Sequence, residues 1–142
     1  MAEIPVWEPV VAFDRTFDAR YGLEILAHDA EAGEVRARVT VRDEVLTEHG
    51  LVHGGVFAGL AEAIASMGTA VAVMERGDAA MGLSNDTTVL ADVRDGTIDA
   101  LARAVHRGER EWVWTVDATA EDGRPLAHSR VTVAVRPLRR PA

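Results

Sequence analysis

The chain has no cysteine in its 142 residues. Disulfides, thiolate chemistry and a Cys-ligated zinc site are thereby excluded, and the expected compartment is the cytoplasm. An excess of positive charge is also missing. The net charge is −8, which argues against a nucleic-acid partner. No basic region followed by an apolar core opens the sequence, so a signal peptide is not expected. There is no Gly-x-Ser-x-Gly elbow for a hydrolase serine and no Gly-x-Gly-x-x-Gly fingerprint for a dinucleotide. His49 and His53 stand four apart beside Glu48. Gly50 lies between them in a loop, and no His-Glu-x-x-His pattern exists, so no metal is expected. Repeats, low-complexity segments and linkers are absent. What remains is an ordinary globular composition, 48% apolar and 27% charged. Its length suits one domain over residues 1–142, with 1–20 as an N-terminal arm and short helix.

One stretch lacks charge almost completely. From Gly54 to Met74 there is no Lys, Arg, Asp or Pro, and one acid, Glu62. Ala, Leu and Met favour helix, and the run is too long for an ordinary strand. Val56, Leu60, Ala63, Met67, Val71 and Met74 recur every three or four residues and form one stripe. The opposite stripe, Gly59, Glu62, Ser66 and Thr69 or Ala70, is small or polar. A helix this apolar is expected to be buried all round, as the central helix of a domain. By length alone it could cross a membrane. Gly54, Gly55, Gly59 and Gly68, and the lack of a Lys/Arg-flanked plateau, argue against that, and no membrane partner is expected.

Glu62 is the anomaly of this helix. An ionised carboxylate among apolar residues costs several kcal/mol unless it is paired, solvated or protonated. It is either a structural acid satisfying a backbone amide or a functional one. Ser66, four residues on, can reach it. Gly54-Gly55 leaves bare N–H groups at the helix N-terminus, where unpaired amides and the macrodipole attract an anion or a developing oxyanion. Gly54 and Glu62 are separated by about 12 Å of helical rise. That is long for one small group to bridge within one chain, and reasonable if two subunits contribute or the substrate lies along the helix.

Before the helix, Pro5, Trp7, Pro9, Phe13 and Phe17 suggest an arm with a short helix over residues 10–18, a packing arm first and a lid or dimer contact as the alternative. Residues 23–28 form a first strand. Val35, Ala37, Val39 and Val41 alternate with polar residues in a second. After the helix, Arg76-Gly77-Asp78 is a stop. Strands follow over 80–90, 97–106, 112–119 and 126–135, with Asp122-Gly123 centring the last hairpin. One long helix among antiparallel strands defines an α+β domain, a sheet wrapped on a helix. Trp112 and Trp114 share one strand face and read as core. His28, His106 and His128 read as structural or surface groups.

Gly50-Leu51-Val52-His53-Gly54-Gly55, with Glu62 nine residues after His53 and Ser66 four further on, resembles the hotdog-fold acyl-CoA thioesterases. The aryl-CoA group, typified by 4-hydroxybenzoyl-CoA and phenylacetate-pathway thioesterases, looks nearest. The likeness runs over about residues 45–139, through Gly82-Leu83-Ser84-Asn85, Val105-His106-Arg107-Gly108, Trp112-Val113-Trp114 and Val133-Ala134-Val135-Arg136-Pro137. It implies hydrolysis of an acyl-CoA thioester, with an aromatic acyl group favoured. Glu62 would act as nucleophile or general base, the Gly54 amide would polarise the carbonyl, and Ser66 would orient Glu62 or the water. His53 would hold the loop or donate to the carbonyl. Gly55, Thr47 and Asn85 would line the substrate, and Arg94, Arg107, Arg110 or Arg139 would meet the coenzyme A phosphates. Coenzyme A is part of the substrate, and no separate cofactor is implied. The implied assembly is a homodimer or a homotetramer built from dimers, with the site between subunits. Many members place Gln six residues before the His, where this chain has Thr47. Ala91-Asp92 stands where an aryl-CoA-type Arg is expected, and Glu109-Arg110 replaces a Ser-Thr pair. A non-catalytic acyl-CoA-binding hotdog protein is the alternative. The Asp-x-Asn-x-x-His motif of hotdog dehydratases is absent.

Overall fold

A computed structural model describes residues 10–138. The expected residues Pro5, Trp7, Pro9 and Arg139 lie outside that range. The helix expected over 10–18 is instead a 3-10 turn, Phe13–Arg15, followed by α1, Phe17–Tyr21. Thr16 divides them because it is extended, and its Oγ1 accepts from the Ala19 amide as the α1 N-cap. Then come β1 (Glu24–Asp29), β2 (Glu34–Thr40), a 3-10 turn (Asp43–Val45) and the central helix α2 (Gly54–Val73). A 3-10 turn, Met74–Arg76, closes α2 before Gly77, whose φ of 83° suits only glycine. The remaining strands are β3 (Asp78–Val89), β4 (Thr97–Arg107), β5 (Glu111–Ala120) and β6 (Pro125–Pro137).

All six strands pair antiparallel in the order β1-β2-β4-β5-β6-β3, so β1 and β3 are the edges. The inner face carries the alternating apolar positions: Val35, Ala37 and Val39 on β2, Ile98, Ala100 and Ala102 on β4, and Trp112, Trp114 and Val116 on β5. Both tryptophans are core residues, as their spacing implies. The sheet wraps one side of α2, and the α+β architecture expected from the sequence is formed.

The helix itself departs from expectation: it is not buried all round. The covered residues are Val56, Phe57, Leu60, Ala61, Ile64, Ala65, Gly68, Thr69 and Val73. They recur at the three- and four-residue steps of one face. The small and polar stripe lies off this face, with Gly59 and Ser66 half-buried and Glu62 exposed beside the edge of the sheet, and Val71 is 41% exposed near the end of the helix. Close packing explains the small residues of the covered face. A Cβ on Gly68 would stand 2.6 Å from Trp114 Cη2. Trp114 Nε1 donates to Thr69 Oγ1 at 2.9 Å, and that hydroxyl donates to the Ala65 carbonyl. Although α2 with its 3-10 end is long and apolar enough to cross a membrane, half of that span is buried within the domain, and it is the core helix of this fold.

Candidate active site

The loop before α2 is a small closed device. Leu46 and Val52 form an isolated bridge, Thr47 N–H donates to the Leu51 carbonyl, and Gly50 turns with a φ of 77°. Thr47 Oγ1 accepts from the His49 amide at 3.3 Å, which holds the loop. The His53 amide donates to Val45 O, and Val52 N–H to Val93 O. The His53 ring is thereby delivered to the first turn of α2, where it is the N-cap: Nδ1 accepts from the Gly55 amide at 2.8 Å. The Val56 amide donates to the His53 carbonyl. Of the first three amides of α2, only that of Gly54 has no acceptor among the described residues. Sequence reasoning expected two bare amides, and the imidazole takes one of them.

Glu62 sits two turns further along α2, on the side facing the edge strand β3. Its side chain is exposed, and it joins no ion pair or hydrogen bond among the described residues. No hydrogen bond links it to Ser66, the contact expected from their spacing. The carboxylate instead lies against Gly82: a Cβ there would be 3.0 Å from Glu62 Cδ and 3.2 Å from Oε1. Gly54, Ala58 and Glu62 follow one line of the helix, and β3 runs antiparallel beside it. Val89 faces Gly54, Asn85 faces Ala58, and Gly82 faces Glu62.

Two expected substrate contacts are engaged elsewhere. Asn85 Nδ2 donates to the Ala58 carbonyl at 2.8 Å, and its Oδ1 accepts from Thr87 Oγ1 at 2.7 Å, so the amide ties β3 to α2. The Arg107 guanidinium donates to the Ala30 and Glu31 carbonyls of the β1–β2 turn and lies over the Trp112 ring. Its place is fixed by Gly33, whose missing Cβ leaves room for the guanidinium. Arg110 differs: its side chain enters no hydrogen bond or ion pair among the described residues. It borders a cleft with Glu109, Asp78 and Arg136.

Sequence reasoning missed the wall of the site. A cavity of about 320 Å³ opens beside His53 and Gly55, lined by Phe17, Tyr21, Leu46 and Val56. Phe17 rests on α2 at Gly59, where a Cβ would come within 3.1 Å of its ring. Burial and a 2.6 Å hydrogen bond to Asp18 Oδ1 raise the Tyr21 hydroxyl above the ordinary phenol range, burial being the larger cause. Gly59, a glycine inside an apolar helix, was the available sign of such a contact. A larger cleft of about 510 Å³, between the Asp92–Gly96 turn and the β5–β6 hairpin, has neither Glu62 nor Gly82 in its lining.

A sheet wrapped around one helix, with glycines at the helix start and a carboxylate two turns on, is the hotdog fold of thioester hydrolases. The sequence profile of the thioesterase superfamily matches residues 49–127, and the chain belongs to that family. Its relatives include a 1,4-dihydroxy-2-naphthoyl-CoA hydrolase of Listeria monocytogenes. It is 34% identical over 84% of this chain and 94% of that one. A thioesterase of Pseudomonas aeruginosa, solved as a glutamine-to-alanine variant, superposes with a TM-score of 0.83. It is 30% identical and covers 88% of both chains. A Staphylococcus aureus thioesterase is known as a glutamine-to-alanine and as a glutamate-to-alanine variant, the two positions fifteen residues apart. The latter superposes with a TM-score of 0.82 at 26% identity, over 87% of this chain and 100% of that one. The protein is a thioester hydrolase.

Proposed function

We propose that the chain hydrolyses an aromatic acyl-CoA, with Glu62 as the reacting carboxylate and the Gly54 amide as the oxyanion donor. The carrying observation is a pair of groups on one helix line that are unsatisfied among the described residues: an N-terminal amide without an acceptor and an exposed carboxylate without a partner. The S. aureus variants lend support, because Thr47 and Glu62 are also fifteen residues apart. The Gly54 N–H and the positive end of α2 would stabilise charge on the thioester oxygen. Glu62 would take a proton from water as the water oxygen attacks the carbonyl carbon, or attack that carbon itself to give an anhydride that water then opens. In either route the C–S bond breaks, and coenzyme A leaves as the thiol after proton return.

The separation of Gly54 from Glu62 favours a site shared by two copies. The edge strand β3 offers unpaired backbone, and Met81 and Leu83 on it are 61% and 52% exposed. A homodimer along β3, or a tetramer of such dimers, would bring Glu62 of one copy to Gly54 of the other. The aromatic acyl group is supported by the Listeria relative's naphthoyl substrate and by the cavity walled by Phe17 and Tyr21. Among the described arginines first considered for phosphate, Arg110 is the one with an unengaged guanidinium.

The test is thiol release from aryl and aliphatic acyl-CoAs, read with a thiol reagent. The protein has no Cys of its own, so the signal is free coenzyme A. Aryl substrates are expected to turn over fastest, and Glu62→Gln to lose a factor of about 10²–10⁴. Undiminished turnover in Glu62→Gln would remove Glu62 from the chemistry. Tight binding of every acyl-CoA without turnover would make this chain a binding module.

A further inference from the structure

Asparagine is a poor strand residue, yet Asn85 stands in the middle of β3, partly buried and with its amide satisfied at both ends. The chemistry fixes its orientation. The Ala58 carbonyl can only accept, so it must meet the amide nitrogen. Asn85 Oδ1 then faces Thr87, whose hydroxyl must donate to it. Ser129 Oγ, 2.7 Å from Thr87 Oγ1 and 2% exposed, must in turn donate to Thr87. The result is a one-way hydrogen-bond chain from β6, through β3, to the backbone of α2.

Its end point matters. The Ala58 carbonyl is the helical acceptor of the Glu62 amide, four residues on. Asn85 therefore grips the peptide group that anchors the residue bearing the carboxylate. The backbone of β3 is shaped to allow this. Side chains three apart on a regular strand face opposite sides. The β3–β6 register slips between Gly82 and Ser84, with Leu83 as the extra residue. This bulge turns both Gly82 and Asn85 toward α2. Gly82 makes room for the carboxylate, and Asn85 holds the turn from which it hangs.

We propose that Asn85 is a positioning residue for Glu62, acting through the Ala58 carbonyl. The inference rests on Glu62 being the reacting carboxylate. Asn85→Ala removes the donor, and Asn85→Asp keeps the shape while setting an acceptor against the Ala58 carbonyl. Both lower kcat on the order of 10- to 100-fold, the effect of a displacement near 1 Å, with KM little changed. Thr87→Val leaves the donor but frees the amide to turn, and gives a smaller loss of the same kind.

The deciding measurement is a double-mutant cycle on full-length protein, with thermal unfolding to verify the fold of each variant. In a Glu62→Gln background Asn85→Ala is expected to cost nothing further in kcat. An equal loss in both backgrounds, an unchanged kcat, or a rise in KM alone overturns the proposal, the last marking Asn85 as a substrate contact. Should Asn85→Ala not fold, the same cycle with Thr87→Val decides. Full turnover in Glu62→Gln by itself overturns the reading of Glu62, and that of Asn85 with it, and is seen before any cycle is closed.

Discussion

Glu62 lies directly on the backbone of Gly82, so closely that one methyl group there would press on the carboxylate carbon at 3.0 Å. Gly82→Ala is expected to spare the fold, because the atoms that must yield are the exposed end of a flexible side chain. It should cost turnover on the order of 10- to 100-fold, since small misplacements of a reacting group are expensive. Steady-state kinetics beside a thermal melt will separate the two. A large drop in melting temperature with unchanged kcat would mean that Gly82 serves the strand and not the carboxylate.

The donor role of Gly54 can be tested through its backbone. Proline at the first helical position is tolerated, because that N–H has no helical partner. Gly54→Pro is expected to fold and to lose a factor of about 10²–10³ in kcat. Mixing Gly54→Pro with Glu62→Gln, followed by unfolding and refolding together, tests the shared site. If each site takes Gly54 from one copy and Glu62 from the other, a mixed dimer regains one intact site and measurable thiol release. Two inactive parents that stay inactive in a verified mixed dimer would place both groups in one chain.

His53 acts as a cap by accepting from the Gly55 amide. His53→Ala leaves that amide bare and is expected to cost about 0.5–2 kcal/mol of stability. His53→Asn supplies an acceptor at the same position and should recover most of it. Urea midpoints of the three proteins give the answer. Equal losses for Ala and Asn would show that the imidazole is held for something other than capping.

Tyr21 sets an alkaline limit. Its hydroxyl is raised above the phenol range by burial and by Asp18. The unfolded chain therefore releases that proton first, at about pH 10. Above that pH the native state holds more protons than the unfolded one, so stability falls as pH rises. Below it the contribution is fully present. Tyr21→Phe is expected to lower stability by about 0.5–1.5 kcal/mol at neutral pH and to flatten the alkaline decline. Unfolding curves between pH 8 and 11 will show whether the decline belongs to this residue.

Local pattern made much of this legible in the sequence. The inner faces of β2, β4 and β5 follow from alternation, because their partners are near-continuous and the sheet has one apolar side. The central helix was visible from its lack of charge. Its burial was misjudged because a composition this apolar does not say which stripe meets the sheet. Here Gly68 and Thr69 lie under Trp114, while Glu62 is left exposed. The motif singled out His53, Gly54 and Glu62, but not their states. Whether the Gly55 amide is free depends on a rotamer of His53. Likewise Asn85 and Gly82 share a face only because of the Leu83 bulge. A one-residue register slip leaves no periodic trace, and the engagement of Arg107 depends on a turn some 75 residues earlier in the chain.

The strand order has a further consequence, for how the molecule comes into being. Within the sheet β3 pairs only with β6, although β4 and β5 lie between them in sequence. During synthesis the strand carrying Gly82 and Asn85 emerges early and must wait for residues 125–137 before it has a ladder to join. Until then it is an unpaired strand of mixed polarity beside a helix. The proposed reaction centre is thus among the last parts to take shape, and a nascent chain stalled before β6 holds its carboxylate on a scaffold that does not yet exist.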